Sequence, residues 1–149
     1  MARTFGTLPA FFRSVSRMVE DGTVAKIRTG AATTLRELVD TTPVDTSQAL
    51  SNWIVSTGRP SGTQRNAISP GKSGSTAEAS RVATIAIGTS DLNTMLKRSS
   101  DIVYITNNEE YIADLDDGKS PQQSPGFVGR AAEVGRQSMR TTKLLVRRR

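Results

Sequence analysis

Hydrophobic residues recur at helical spacing over the first forty positions of the chain. One face is formed by Leu8, Phe11, Phe12, Val15, Met18 and Val19, and a second apolar stripe continues through Val24, Ile27, Ala31, Leu35 and Leu38. Thr7 is suited to cap the first turn, in which Pro9 is tolerated. Gly22 is the expected break, so the pattern predicts residues 7–40 as two helices or one kinked helix.

The period changes in the stretch TPVDTSQALSNWIVSTG, residues 42–58. Asp45, followed by Gln48 three residues later, fits a capping box that opens a single helical turn. Trp53 and its β-branched neighbours then favour a strand over residues 51–57. Residues 58–74 are rich in Gly, Ser, Pro, Asn and Arg and lack periodic apolar positions, which indicates a long mobile loop.

The next segments predict a helix followed by a strand. Ser75 and Glu78 form a second capping box, which opens a helix over residues 75–88 that ends at Gly88. Residues 101–107, DIVYITN, contain four consecutive strand-prone residues. Because neither face of this strand is clearly polar, we expect it to be central in a small sheet.

The C-terminal part of the chain predicts a last helix over residues 125–146. Ser124 is the expected cap, and Pro125 occupies the first helical position. The apolar stripe of this helix is moderate, since Gly129 and Gly135 interrupt it; its members are Phe127, Ala131, Val134, Met139 and Leu145.

Together these elements predict one domain over residues 1–149 with an α+β fold. The N-terminal helices and the C-terminal helix are expected to pack on a small, mainly antiparallel β-sheet, with a long flexible loop. Hydrophobic residues make up 36% of the chain. That fraction favours a modest core, or a subunit that completes its core against neighbours.

Composition excludes many kinds of chemistry. The chain has no cysteine and no histidine, which removes disulfides, thiolate nucleophiles, the usual zinc ligands and the commonest general base. We therefore expect no enzyme. The chain also has no apolar run of about 18 residues and no signal peptide at its start, so we expect it in a cytoplasm or in a particle assembled there.

Charge is polarised along the chain, whose formal net charge is +6. The acidic segment, residues 109–117, holds five acids and no base, whereas residues 130–149 hold seven bases and one acid. Such a distribution is typical of subunits that dock head to tail or of a basic end near nucleic acid, and equally of a solvated helix face with a basic tail.

The tripeptide Gly-Lys-Ser occurs at residues 71–73 and 118–120, which raises the question of a phosphate-binding loop. That loop needs a further glycine five residues before the Gly of the tripeptide, where this chain has Asn66 and Ala113. Near the second tripeptide, acids would repel phosphate and Pro121 would block the following helix. A nucleotide site and a bound cofactor are therefore not expected.

The acidic segment also lacks the features of a metal or glycosidase site. Its acids do not alternate, and the distal bidentate Glu of a calcium loop is missing. At helical spacing Glu110, Asp114 and Asp117 share one side, which is typical of a solvated acidic face. No apolar pocket that would raise the pKa of a catalytic acid is indicated.

Basic residues near the C-terminus leave nucleic-acid binding open. No helix-turn-helix, zinc or aromatic-basic motif accompanies them, so sequence-specific recognition is not indicated. Non-specific attraction to DNA remains, and a small basic non-specific nucleic-acid-binding protein is the competing interpretation. The candidate DNA-proximal residues are Arg140, Lys143, Arg147, Arg148 and Arg149.

Two segments are informative together: TPVDTSQALSNWIVSTG, residues 42–58, and IVYITNNEEYIADLDDGKSPQQSPGFV, residues 102–128. In this order they resemble the neck and tail-completion (head-tail joining) proteins of long-tailed bacteriophages. In that family a Thr-Pro-Val-Asp-Thr-Gly-like turn leads into a Trp-bearing strand. A later strand ends in an Asn-Asn-x-x-Tyr-like element, and a Pro-rich segment leads to the last helix. This chain has Ser47 where the family's turn usually has Gly.

The resemblance implies a virion structural protein without a catalytic site, which forms a multimeric ring at the head side of the tail. The implied partners are copies of itself, the adjoining connector or adaptor, and tail terminator or tail tube proteins. Genome DNA in the lumen would be contacted non-specifically, and no membrane is involved. The implied location is the neck or tail of the virion, and the host cytoplasm during assembly.

Candidate contacts with a neighbouring subunit or partner ring are Glu109, Glu110, Tyr111, Asp114, Asp117, Arg59 and Arg65. The two arginines belong to the loop of residues 58–74, which is expected to become ordered on assembly. Pro43 and Asp45 are expected to end one element and start the next, and Trp53 and Tyr104 to fill the core on facing strands. The remaining residues of the structural motif are Asn107 and Asn108, expected at positive φ, Gly118 in a left-handed turn, and Pro125.

Overall fold

The computed structural model describes residues 8–143, apart from the side chains of Leu8 and Phe11. In this part of the chain, five helices and a two-stranded antiparallel sheet form an α+β fold, as predicted. The order of the elements is α1 (Leu8–Thr41), α2 (Gln48–Ser51), β1 (Ile54–Thr57), α3 (Ala77–Met95), β2 (Val103–Thr106), α4 (Ile112–Asp116) and α5 (Phe127–Thr141).

Helix α1 is continuous over 34 residues, so the predicted break at Gly22 is wrong. A glycine inside a helix costs only about 1 kcal/mol relative to alanine, which the turns on either side outweigh. The predicted second stripe is confirmed, since Val24, Leu35 and Leu38 are buried against the rest of the molecule. Thr7, the expected cap, lies outside the described residues.

The sheet is shorter than predicted. Val55 of β1 pairs with Ile105 of β2 in an antiparallel register. Strand β1 begins at Ile54 rather than at residue 51, because residues 48–51 form the single turn of α2. With only two strands, β2 cannot be central, although its four residues are all half-buried.

The hydrophobic core lies between α1, α3, α5 and the sheet. Leu35 has no exposed surface, and Trp53 is buried with its indole N–H donating to the Thr42 hydroxyl at 2.7 Å. Tyr104, expected to fill the core opposite Trp53, is only half-buried and pairs with Ser56. Truncating a side chain such as Leu35 typically costs 2–5 kcal/mol, because the cavity that remains cannot fully collapse.

Helix α3 runs on to Met95 and does not end at Gly88 as predicted. Gly88 is buried inside the helix, and a Cβ built there would collide with the Leu35 side chain and lie 3.3 Å from Val55 Cγ2. The residue is therefore a point of close packing, where the absence of a side chain lets α3 approach α1 and β1.

The predicted helix caps are replaced by other contacts. The Asp45 carboxylate accepts a hydrogen bond from the Ser73 amide at 2.8 Å instead of capping α2, and Ser47, in the left-handed region with φ 66°, precedes that helix. The Ser75 hydroxyl accepts from the Lys72 amide, so it does not cap α3. Both predicted capping boxes were wrong: a distant amide takes the Asp45 side chain, and a preceding amide takes the Ser75 side chain.

Helix α5 begins at Phe127 and ends at Thr141, and the end predicted near residue 146 lies outside the described residues. Gly126 at φ 79° precedes its first turn, so Ser124 and Pro125 do not take the cap and first position predicted for them. Phe127 and Ala131 are fully buried, whereas Val134 is exposed. Gly135 faces α1, and a Cβ there would collide with the Thr34 hydroxyl and lie 2.9 Å from the Gly30 carbonyl oxygen.

The first third of α1 extends away from the body of the protein. Every described side chain in residues 9–19 is exposed, including Phe12 and Val19, although both were assigned to an apolar face. Glu20, which follows this part, is bonded to the body: its carboxylate accepts from the Ser99 amide at 2.7 Å and from the Ser99 hydroxyl at 2.6 Å. These two bonds hold the pKa of Glu20 below its ordinary value.

We expect Gly135→Ala to destabilise the protein by about 1–3 kcal/mol, because a methyl group at this position collides with α1. The matched control is Gly129→Ala in the same helix, where an added Cβ meets no atom within 4 Å. That change should stabilise the fold by up to about 1 kcal/mol through helix propensity alone. Urea unfolding of both variants measures the difference, and equal effects would contradict the close approach of α1 and α5.

Candidate docking surface

The segments that carry the motifs lie side by side at one end of the core. The Asn107 amide donates to the Ala49 carbonyl oxygen at 2.8 Å, and the Gln48 amide donates to the Glu109 carboxylate at 2.7 Å. The Gln122 side chain bonds to both the N–H and the C=O of Val44, at 2.9 and 3.1 Å. Residues 42–53, 107–111 and 120–123 therefore form one hydrogen-bonded unit, which we call the motif junction.

Glu109 is not available for a partner, contrary to the prediction. The residue is only 6% exposed, and its carboxylate accepts the hydrogen bond from Gln48 within the motif junction. Its backbone N–H donates to the Asn107 side chain at 3.1 Å. A buried carboxylate needs such a partner, since an unpaired charge in the interior is strongly unfavourable.

The outer face of the acidic segment is formed by exposed residues, and Glu110, Tyr111, Asp114 and Asp117 remain available to a partner. Asp114 also pairs with Lys119 at 2.6 Å, which raises the pKa of that lysine. The Tyr111 side chain is half-buried beside the junction; this burial, together with the nearby charge of Glu109, raises the pKa of its hydroxyl. The surface is thus acidic around one amphipathic aromatic ring.

An open cleft of ≈ 330 Å³ separates the turn of residues 43–49 from Tyr111 and α4. Its walls include Pro43, Asp45, Gln48, Leu115 and Gln122. Pro43 is buried where α1 ends, whereas Asp45 is exposed. The cleft places mixed polar and apolar groups next to the exposed acids, which is the composition typical of a protein contact.

Residues 58–74 contain no helix or strand, as predicted, but the core holds them in place. Asn52, fully buried, donates to the Arg65 carbonyl oxygen at 2.7 Å and accepts from the Arg65 amide at 2.8 Å. Gln48 also donates to the Arg65 carbonyl oxygen and accepts from the Ala67 amide, each at 2.7 Å. These intrachain bonds favour a fixed loop over the mobile one expected from composition.

The two arginines of the loop differ in their surroundings. Arg65 is half-buried with its backbone fastened to Asn52, whereas Arg59 is exposed at the turn after β1. Arg59 therefore remains a candidate contact, and the Arg65 side chain is less accessible than we expected.

Asn107 and Asn108 contribute through their side chains and not through positive φ, which the structure assigns to neither of them. The Asn108 amide donates to the Ser61 and Thr63 carbonyl oxygens at 2.9 and 2.8 Å, tying the loop to the end of β2. Gly118 does adopt a positive φ of 86°, as predicted, and a Cβ there would lie 2.5 Å from the Pro125 ring. Pro125 thus closes the turn that contains Gly118.

Of the candidate DNA-proximal residues, Arg140 and Lys143 are exposed at the C-terminal end of α5, and Arg147, Arg148 and Arg149 lie outside the described residues. A second basic surface was missed by sequence reasoning. Arg28 and Arg36, two turns apart on α1, line a groove with Thr89 and Asn93 of α3. The eight-residue spacing of these two arginines could have indicated the surface from the sequence, since it places both side chains on one face of the helix.

Asn52 and Gln122 were also missed, and Gln48 was assigned only to a capping box. Asn52 is a polar amide among buried residues, and this pattern indicates a side chain that satisfies backbone groups in the interior. Within residues 8–143, no group of three or more acidic side chains is arranged to hold a metal ion. The same part of the chain contains no helix of the length and apolar character needed to cross a bilayer.

Comparison of the chain with models of known protein families, with curated proteins and with solved structures gives no match.

We expect Asn52→Ala to free the loop and to destabilise the fold by at least about 2 kcal/mol, because the buried backbone groups of Arg65 lose their partners. The matched control is Asn66→Ala, an exposed asparagine in the same loop. Trypsin cleavage after Arg65 should be slow in the wild type and in the control, and faster in the Asn52 variant. Rapid cleavage of the wild type at this bond would show that the loop is mobile.

Proposed function

We propose that this chain is a structural subunit of a long-tailed bacteriophage virion, acting in head-to-tail joining or tail completion. In this role it assembles into a multimeric ring and performs no catalysis. Its partners are further copies of itself, the adjoining connector or adaptor, and a tail terminator or tail tube protein. It would be located in the neck or tail, and in the host cytoplasm before assembly.

The observation that supports this proposal is the motif junction. About forty residues separate the two sequence elements that resemble the phage family. They nevertheless bond to each other: the Gln48 side chain to that of Glu109, and the Asn107 and Gln122 side chains to backbone groups of Ala49 and Val44. Residues that depend on one another in this way form a structural unit. The resemblance therefore concerns a framework, which suits a subunit whose role is assembly.

Polarity of the surface also supports a docking role. The exposed acids Glu110, Asp114 and Asp117 surround the half-exposed ring of Tyr111. Aromatic residues are enriched at protein interfaces, and a single-signed rim steers a partner of opposite charge. We infer that this acidic face docks on a basic surface of a neighbouring copy or of the adjoining ring.

A second candidate function, non-specific nucleic-acid binding, is favoured by the groove that Arg28 and Arg36 line between α1 and α3. Phosphate contacts by lysine and arginine make such binding steeply dependent on salt. Salt-sensitive binding of duplex DNA by the isolated monomer would support this function, whereas a ring observed by native mass spectrometry or negative-stain microscopy would support the first.

Virion composition and gene order test the proposed function directly. The chain should be present in purified virions of the phage whose genome carries its gene, and neighbouring genes should encode portal and tail proteins. Absence of the chain from such virions, or a genome with neither kind of neighbour, would exclude the proposal.

The double variant Glu110→Lys/Asp117→Lys should weaken partner docking by at least tenfold, because like charges then meet across the contact. Both side chains are exposed, so the free energy of unfolding should change by less than about 1 kcal/mol. The double variant Asp40→Lys/Glu133→Lys makes the same change in net charge at exposed positions outside the acidic segment. Head-to-tail joining in a complementation assay should fall only for the first variant; equal joining by both would argue against the acidic face.

A further inference from the structure

Helix α1 presents two apolar stripes on nearly opposite sides. Its second half buries Val24, Leu35 and Leu38 against the body, while its first part exposes Phe12, Val15, Met18 and Val19. At about 100° per residue, the centres of these stripes lie about 160° apart around the helix axis. We call residues 9–19 of α1 the arm. Its apolar face is turned away from the side on which the described core of the protein lies.

The side of the arm that continues the core-facing stripe is polar. Stepping toward the N-terminus by helical repeats from Val24 leads to Glu20, Arg17 and Arg13. Glu20 bonds to Ser99 of the body, and Arg13 bonds to the Pro9 carbonyl oxygen of its own helix. Among the described residues, the body therefore contacts the base of the arm through polar groups, and the buried core includes none of Val15, Met18 and Val19.

Helix α3 also carries apolar residues on the side opposite to its buried positions. Its buried positions are mostly small or polar, namely Ser80, Thr84, Gly88 and Leu92. On the opposite side, apolar residues recur at the spacing of one helical face; they are Ala79, Val82, Ala83, Ala86 and Ile87. Val82 is 60% exposed and Ile87 39%. We call these five residues the α3 outer face, a ridge of short side chains between a valine and an isoleucine.

These two faces cannot meet within one chain. Helix α3 runs antiparallel to α1, since Gly88 packs at Leu35 and Arg28 bonds to the Leu96 carbonyl oxygen. The α3 outer face thus lies alongside the end of α1 that follows Leu35. Val15 is twenty residues before Leu35, which is about 30 Å along a straight helix.

We propose that the arm of one copy packs on the α3 outer face of a second copy. The bulky side chains of the arm fit the alanines of α3, which allow the two helix axes to approach closely. Neither face carries a charged residue, so the contact buries no unpaired charge. Because the two surfaces differ and lie at opposite ends of the body, the contact is heterologous and generates a closed ring or an open filament.

The area of the contact is small, which fits a closed ring, because each copy in a closed ring makes two such contacts. The exposed apolar side chains of the arm present on the order of 300 Å², the size at which an apolar patch marks an interaction site. This is less than the ~800 Å² per partner of a standard stable interface. One contact is therefore weak, whereas a closed ring gives each copy two of them. This inference names the copy-to-copy contact of the proposed function and rests on that function only for its biological setting.

Cysteine cross-linking tests the contact without background, because the natural chain contains no cysteine. Val15→Cys and Ala83→Cys are prepared separately and mixed under mild oxidation, at a protein concentration where native mass spectrometry detects oligomers. We expect a disulfide-linked dimer in the mixture and little dimer in either variant alone. Val15→Cys mixed with Ala132→Cys, an exposed alanine of α5, is the control. A chain carrying both Val15→Cys and Ala83→Cys should give a ladder of covalent oligomers.

Each other result overturns the proposal. Dimers of Val15→Cys alone would mean that two arms pair with each other, and dimers of Ala83→Cys alone would mean that two α3 faces pair. Cross-linking no greater than in the control, or the absence of any oligomer, would mean that the arm does not dock on α3. As a second measurement, Met18→Asp/Val19→Asp should raise the dissociation constant of assembly at least tenfold with unchanged unfolding, since both residues are exposed.

The outcome is separable from that of the proposed function. Cross-linked rings of a chain that is absent from virions would retain the contact and exclude the phage role. A chain that is present in virions but does not cross-link through the arm would retain the role and exclude the contact.

Discussion

The close approach of helices at glycine positions determines the arrangement of the whole protein. Gly135 brings α5 against Gly30 and Thr34 of α1, and Gly88 brings α3 against Leu35 on the same helix. With α1 contacted from both sides, Phe127 and Leu92 become fully buried, and the two short strands have a surface on which to pack. A two-stranded sheet is only marginally stable by itself, so the β-structure depends on these helix contacts.

The sequence allowed the order of the elements other than α4, the antiparallel pairing and the core-facing stripe of α1 to be predicted, because each depends on local periodicity. The ends of helices were not predicted where glycine was concerned. Gly22 and Gly88 were assigned as breaks from their helix propensity, a penalty of about 1 kcal/mol, whereas the close packing at Gly88 leaves no room for a side chain. The partners of Gly135 lie more than a hundred positions away in sequence, where no local pattern can indicate them.

The segments of the candidate site could be predicted from the sequence, but the burial of their individual residues could not. The acidic segment and the turn of residues 42–53 were both singled out, yet only the structure separates buried Glu109 from exposed Glu110. In a short irregular segment, a carboxylate can be buried only where a neighbour supplies a hydrogen-bond donor. For Glu109 that donor is the Gln48 side chain, which comes from a turn distant in sequence. The composition of residues 58–74 predicted a mobile loop because it does not include the side chains that hold the loop in place. Those side chains, Asn52 and Asn108, lie outside the loop.

The opposed stripes of α1 have a consequence for how this sequence can change over generations. Selection for a folded chain acts on Leu35 and Leu38 but leaves exposed Val15 and Val19 free to drift. If the arm packs on another copy, its residues would instead covary with the alanines of α3. A larger side chain in the arm would then be accompanied by a smaller one on the α3 outer face. Covariation between residues about 30 Å apart in one subunit would then record a contact that exists only between subunits.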